Sequence, residues 1–328
     1  MDYGHINGLD KDISRLVQGT MMLNPDEKQA NFELLDAVFE YGCNTFDCGH
    51  IYGGGACERV LGEWIEKRGL REQTVILDKG CHHNTDRKRI TPFDLEADLH
   101  DSLARLRTDC IDIYVLHRDD PSVEVGPIVD ILNMYAEAGV IRLFGGSNWS
   151  HKRITEANEY AERHGLRPFS VSSPNFSLAE QIESPWSDDC VSIAGPENEE
   201  ARQWYRNHDF ALFTWSSLAR GFFSGLYTRE NFEELRNTSD SSSIRAYCYE
   251  DNFRRLSRVQ KLAEKKGVTI PQIAMAYVMN TPLNIFALIG CYTPGEFREC
   301  LEAASIDLTP DEMAWLDLQN EKNSGSPV

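Results

Sequence analysis

Asp47, Tyr52, Lys79 and His117 are the residues whose types and spacing could do chemistry together. Asp47 closes the apolar run CNTFD, and Tyr52 follows five positions later beside the glycine turn of IYGGG. Lys79 lies at the end of TVILDKG and His117 at the end of CIDIYVLH. A carbonyl that accepts a hydride needs a proton for its developing alkoxide, but a phenol of pKa about 10 is a weak acid at neutral pH. A nearby ammonium stabilises the phenolate and lowers that pKa. A carboxylate keeps the ammonium charged and oriented, and an imidazole can hydrogen-bond the substrate oxygen. The set therefore describes a proton-donor site, with Asp47 holding Lys79 and the glycine loop bringing Tyr52 over the same lysine. Taken singly, each has a plainer reading: Asp47 a cap, Lys79 a solvated strand end, His117 a partner for backbone groups, Tyr52 rim packing.

Such a set needs elements that deliver it to one place. From about residue 16 short apolar runs alternate with longer amphipathic stretches: RLVQGT, CNTFD, TVILDKG, CIDIYVLH, VIRLFGGS, FSVSS, FALFTWSS and NIFALIG are the strand-like runs. Runs of this kind bounded by Gly, Asp or Ser suit strands buried on both faces. The intervening segments carry apolar residues at helical spacing and often end in glycine, as at Gly42, Gly69, Gly139 and Gly165. Eight consecutive βα units without a linker predict an α/β fold, a single-domain (β/α)8 TIM barrel spanning residues 1–328. A doubly wound open sheet is the competing fold, but LVQGTMMLNPDEK lacks the GxGxxG turn. Residues 309–320, TPDEMAWLDLQN, predict an extra C-terminal helix capped by Thr309 with Glu312 three positions later. Residues 237–251 read as a long loop and 321–328 as a flexible tail. In such a barrel, chemistry belongs to the C-terminal ends of the strands, where Asp47, Lys79 and His117 fall on adjacent strands.

Bulk composition excludes several classes of function. The 328 residues are 41% hydrophobic and 26% charged, ordinary for a soluble globular chain. A net charge of −19 argues against nucleic acid or an anionic membrane as partner. The opening MDYGHINGLDKDIS is polar and acidic rather than leader-like, and no apolar run is long enough to span a bilayer. Nine cysteines without a CxxC pair suit a reducing cytoplasm. His50, His82 and His83 could join His117 and Asp47 in a metal-dependent hydrolase site. Their spacing matches no compact ligand motif, and Lys79 would set a cation beside the metal, so no metal is expected. His50 and Trp149 are better candidates for lining the substrate pocket.

Across residues 15 to 320 the sequence resembles the aldo-keto reductase family. GCNTFDCGHIYGGGACERVLGEWI, LDKG, IDIYVLHRDDP, GVIRLFGGSNW and TWSSLARGFFSG match its motifs in order. The resemblance implies an NAD(P)-dependent oxidoreductase interconverting a carbonyl (aldehyde, ketone or sugar) and its alcohol, with Asp47, Tyr52, Lys79 and His117 as the catalytic tetrad. It implies nicotinamide contacts at Ser147, Asn148 and Ser172, where the family usually has glutamine, and stacking by Trp215, where tyrosine is common. It further implies cofactor-binding places for Gly19, Thr20, Met21, Asp47, Ser216, Leu218, Arg220, Gly290 and Glu296. Relatives that grip a 2′-phosphate carry basic residues after the eighth strand. Here IGCYTPGEFRECLEAA places Glu296 there, with Arg298 as its one possible cation. The cofactor is therefore NAD or NADP, with NAD use favoured. The rival implication is a nucleotide-sensing or interaction subunit on the same barrel, as occurs among ion-channel auxiliary subunits of this family.

Overall fold

The computed structural model describes residues 1–186, 189–237 and 241–320. A short antiparallel hairpin, β1 (Tyr3–Gly4) with β2 (Ile13–Ser14), precedes a closed barrel of eight parallel strands. These are β3 (Leu16–Gly19), β4 (Thr45–Asp47), β5 (Val75–Gly80), β6 (Ile111–Leu116), β7 (Ile141–Ser147), β8 (Val171–Ser173), β9 (Ala211–Thr214) and β10 (Ile285–Ile289). They follow sequence order around the ring, and β10 closes it by pairing with β3. The predicted (β/α)8 barrel is the fold observed.

Strand alternation divides the core into two layers. Val75, Leu77, Ile113, Val115, Leu143, Val171, Phe213 and Phe286 form one buried cluster inside the barrel. Ile76, Tyr114, Phe144 and Leu212, their neighbours of opposite parity, belong to a second cluster beneath the helices. Ile6, Leu9 and Ile13 of the hairpin segment join the inner cluster, so the hairpin stoppers the barrel. Inward parity then continues to the strand ends: from Val75 and Leu77 to Lys79, from Ile113 and Val115 to His117, and from Val171 to Ser173.

The outer layer comprises α1 (Lys28–Glu40), α2 (Ala56–Arg68), α3 (Pro92–Leu106), α4 (Gly126–Glu137), α5 (His151–His164) and α6 (Glu199–Asn207). After β9 come α7 (Phe232–Leu235), α8 (Ser241–Tyr247), α9 (Glu250–Lys266) and α10 (Ile270–Asn280), and after β10 come α11 (Pro294–Ala303) and α12 (Pro310–Leu316). Two of these correct the sequence reading. The segment 237–251 holds α8, whose Ile244, Ala246 and Tyr247 are buried beside Phe222 and Phe253. A separate α10 starts at a capping box between Thr269 and Gln272, where no helix was expected. The terminal helix has the expected Thr309–Glu312 box but stops at Leu316. The expected tail, 321–328, lies outside the described residues. No helix among the described residues is long and apolar enough to cross a membrane.

Candidate active site

Tyr52 begins a tight turn, Tyr52–Gly55, in which Gly53, Gly54 and Gly55 have φ of 56°, 61° and 84°. Three successive left-handed residues are accessible at little cost only to glycine. A Cβ on Gly55 would also lie 2.6 Å from the Arg105 guanidinium. Upstream, the loop is tied to β5: Cys48 N donates to Leu77 O and His50 N to Lys79 O, both at 2.8 Å. The glycine motif therefore folds Tyr52 back over the strand that carries Lys79.

Lys79 is 2% exposed and directs its ammonium to three acceptors. It donates to Asp47 Oδ1, to Cys48 O at 3.2 Å and to Tyr52 Oη at 3.1 Å. That uses all three of its protons. Because the Tyr52 oxygen accepts, its own proton stays available for another partner. The Tyr52 and His117 rings meet edge-on, with centroids 5.6 Å apart.

Burial dominates the proton affinities. It pushes Tyr52 up to about 12, with Lys79 pulling down and Asp47 pushing up. The lysine thus moderates the phenol without bringing it below its ordinary value, which corrects the expectation of a depressed pKa. Burial works against the Lys79 ammonium, but Asp47 and then Tyr52 outweigh it and raise its pKa. Asp47 is raised by burial against the pull of Lys79. Burial and then Lys79 hold His117 well below the usual imidazole range, so the ring is neutral at pH 7. A phenol with a free proton beside a neutral imidazole can donate to an oxygen and hold it in place.

The remaining expected residues separate into those at the mouth and those turned away. Thr20 is buried and its N–H donates to Asp47 O at 2.9 Å; Gly19 lies on β3 and Met21 is exposed. Asn148, at φ 61°, donates to His117 O at 3.1 Å and to Ser147 Oγ at 3.2 Å, and accepts from Val191 N at 3.1 Å. Ser147 Oγ donates to Ser173 O at 3.0 Å. Ser172 does not face the mouth: its hydroxyl pairs with Tyr205 Oη of α6 at 3.0 Å. Ser173, of opposite parity, has a buried hydroxyl without a partner among the described residues.

Trp215 follows β9, and its Nε1 is likewise buried without a partner. Its ring lies 5.0 Å from Trp186, which the Arg220 guanidinium covers at 4.5 Å. Ser216, Ala219, Arg220 and Gly221 take φ of 59°, 50°, 50° and 85° around Leu218, a run of strain at one loop. Gly290 follows β10; Glu296 accepts from Tyr292 N at 2.7 Å. Arg298 does not turn inward: it donates to Tyr41 Oη at 2.7 Å and lies over that ring.

Two pocket candidates are corrected. Trp149 is fully buried behind β7, packed 5.2 Å from Phe169 and donating to Arg118 O at 2.9 Å. His50 points Nε2 at Asp101 and Asp98 of α3, at 3.3 and 3.5 Å, and anchors the Tyr52 loop from outside. Sequence reasoning weighed His82 and His83 only as possible metal ligands and set that reading aside. His82 in fact abuts His117 edge-on at 4.7 Å, and His83 Nδ1 lies 3.0 Å from Asp189 Oδ2. Among the described residues no group of three or more His, Cys, Asp or Glu is placed to hold a metal ion. The signal available was the pair of histidines directly after the Lys79 strand.

These groups share the C-terminal mouth of a closed barrel, the face on which this fold carries its chemistry. The chain belongs to the aldo/keto reductase family, whose model matches residues 15–321. It is 29% identical over 306 residues to the probable aryl-alcohol dehydrogenase AAD4 of Saccharomyces cerevisiae, covering 88% of this chain and 87% of that one. It is 25% identical over 297 residues to a probable voltage-gated potassium channel subunit beta of Arabidopsis thaliana, covering 86% and 83%. In fold it is similar to a glycerol dehydrogenase of Gluconobacter oxydans, with TM-score 0.76, 21% identity and coverage of 100% and 97%.

Proposed function

We propose that this protein interconverts a carbonyl compound and its alcohol with NAD or NADP, Tyr52 acting as acid in reduction and as base in oxidation. The hydrogen bonding of Lys79 carries the reading: its protons go to Asp47, Cys48 and Tyr52, which leaves the phenolic proton free for a substrate oxygen. Neutral His117 positions that oxygen. The raised Lys79 pKa keeps the ammonium charged, so it stabilises the phenolate when Tyr52 gives its proton away.

The residues present fit a nicotinamide dinucleotide. Ser173 Oγ and Trp215 Nε1 are buried polar atoms without a partner among the described residues. Left-handed residues at 216 and 219–221 turn the loop sharply after β9, and tight turns of this kind can border an anion. Ser147, Asn148 and Ser173 would hold the carboxamide, the first two through unused lone pairs, and Trp215 would stack on the ring. Gly19, Thr20 and Met21 would border it, Ser216, Leu218 and Arg220 would hold the pyrophosphate, and Gly290 with Glu296 the adenosine end. When bound, the nicotinamide supplies or accepts the hydride. The described cysteines are free thiols, which fits a reducing compartment such as the cytoplasm.

Replacing Tyr52 with phenylalanine tests the reading. Nucleotide binding should persist while turnover falls about 10²–10⁴-fold, the range for one general acid. Near-normal turnover would rule the mechanism out. The likeness to a plant channel subunit favours a second reading, a slow nucleotide-sensing subunit on the same barrel. Nucleotide binding without turnover on any of a panel of aldehydes, ketones and sugars would select it.

A further inference from the structure

We infer that His82, His83, Arg118 and Asp189 form a polar subsite beside His117 that binds adjacent hydroxyl groups, so that the substrates are polyhydroxylated carbonyl compounds. The inference rests on the reading of Tyr52 and His117 as the reaction centre. The four residues come from three strand ends: His82 and His83 follow β5, Arg118 follows β6, and Asp189 lies on the segment after β8. The His82 ring abuts His117 at 4.7 Å. Arg118 is 5% exposed, yet among the described residues its Nη1 meets only a sulfur acceptor, Cys190 Sγ at 3.1 Å. Its Nε stands 3.8 Å from Asp189 Oδ1 and has no hydrogen-bond acceptor among the described residues.

Proton positions decide what this subsite can recognise. His82 Nδ1 lies 2.8 Å from His83 O, and a carbonyl only accepts, so Nδ1 carries the proton. Asp189, 3.0 Å from His83 Nδ1, favours the same tautomer there. Burial lowers the pKa of both rings, so at pH 7 each is neutral and offers Nε2 as a lone pair. His83 Nε2 is buried without a partner among the described residues. The subsite therefore presents two imidazole acceptors and one guanidinium donor.

A hydroxyl both donates and accepts, so a pair of adjacent hydroxyls meets that set. An aryl group would bury the same atoms unpaired, which is costly. A carboxylate would suit Arg118 but would face Asp189 and two lone pairs. Polyhydroxylated substrates fit best, in contrast to what the name of the yeast relative describes.

The test is kcat/KM for glyceraldehyde, propanal, benzaldehyde and succinic semialdehyde with wild type, His83→Leu and His83→Gln. Glyceraldehyde and propanal differ only in two adjacent hydroxyls. Wild type should prefer glyceraldehyde to the other three, chiefly through KM. His83→Leu should cut the glyceraldehyde-to-propanal ratio about ten-fold, the worth of roughly one hydrogen bond, and His83→Gln should restore part of it through its amide oxygen. A wild-type preference for any of the other three aldehydes would overturn the subsite while leaving the reaction standing. So would a loss in His83→Leu that falls equally on glyceraldehyde and propanal. Absence of turnover on every carbonyl with either nucleotide would overturn the proposed reaction itself, and the subsite with it.

Discussion

Replacing Lys79 with methionine keeps most of the buried stem and removes the charge. Asp47 is 5% exposed, and among the described residues Lys79 is the only side chain hydrogen-bonded to its carboxylate. Breaking a buried pair from one side costs about 3–5 kcal/mol, because the other charge is left uncompensated. Against a typical stability of about 5–15 kcal/mol, that is a large fraction. With a urea slope of roughly 2–3 kcal/mol/M, the midpoint should fall by about 1–2 M. The double variant Asp47→Asn/Lys79→Met removes both charges and should recover about 2 kcal/mol of the loss. The pH dependence has a definite sign. Burial already raises the folded Asp47 above its unfolded value of about 3.9, and without Lys79 it rises further. A carboxyl that holds its proton more tightly when folded loses stability as pH rises from about 4 through the folded pKa. The Lys79→Met deficit should therefore be smallest near pH 4 and complete above the folded value. Urea titrations of the three proteins at several pH values measure this. Wild-type stability in Lys79→Met, no recovery in the double variant, or a deficit that grows on acidification would refute the reasoning.

The other expectations follow from individual contacts. With Tyr52 raised to about 12, carbonyl reduction should be flat from about pH 6 to 9, since the phenol stays protonated. Alcohol oxidation should rise nearly ten-fold per pH unit over that range as phenolate becomes available; a plateau below pH 9 would contradict it. Ser173→Ala should weaken nicotinamide nucleotide binding about ten-fold, and Ser172→Ala should weaken it far less, because Ser172 faces Tyr205. Tryptophan fluorescence titration reads both, and the reverse order would remove Ser173 from the site. NAD should bind at least as well as NADP, because Arg298 is held by Tyr41 and Glu296 would repel a 2′-phosphate. Glu296→Arg should improve NADP binding; a wild type that strongly prefers NADP would show that a cation elsewhere supplies the charge.

The barrel was legible because its signals are local and repeated. Apolar runs such as IDIYVL and IFALI are buried on both faces, and the amphipathic segments between them end at glycines that take left-handed φ, such as Gly69 and Gly165. Asp47, Lys79 and His117 were legible for the same reason, since each lies at or within one residue of the C-terminal end of a strand and the barrel gathers strand ends at one mouth. Tyr52 needed one further step, the glycine turn that folds its loop back. α8 was hidden because SSSIRAY is short and begins with three serines, which favour caps and turns over helix interiors. Its helicity comes from tertiary packing of Ile244, Ala246 and Tyr247.

The misplaced residues share a cause, which is side-chain direction. Reading FSVSS as a strand places both serines near the mouth, but alternation sends only one of them inward. Since Val171 faces the barrel interior, parity selects Ser173 and turns Ser172 toward α6. The same rule puts Gly146 on the outer face of β7, where Trp149 packs so closely that a Cβ would come within 2.4 Å of its ring. Trp149 is thus a core residue whose place requires that glycine, although the run FGGSNW brings it next to the mouth in sequence. Period-two alternation could have recovered these two placements. It could not have recovered His82, His83 and Asp189, because they meet through loops after different strands, and no periodicity encodes how those loops approach. Groups at strand ends can be placed from the strand pattern, whereas the groups proposed here to select a substrate lie in the loops that follow the strands.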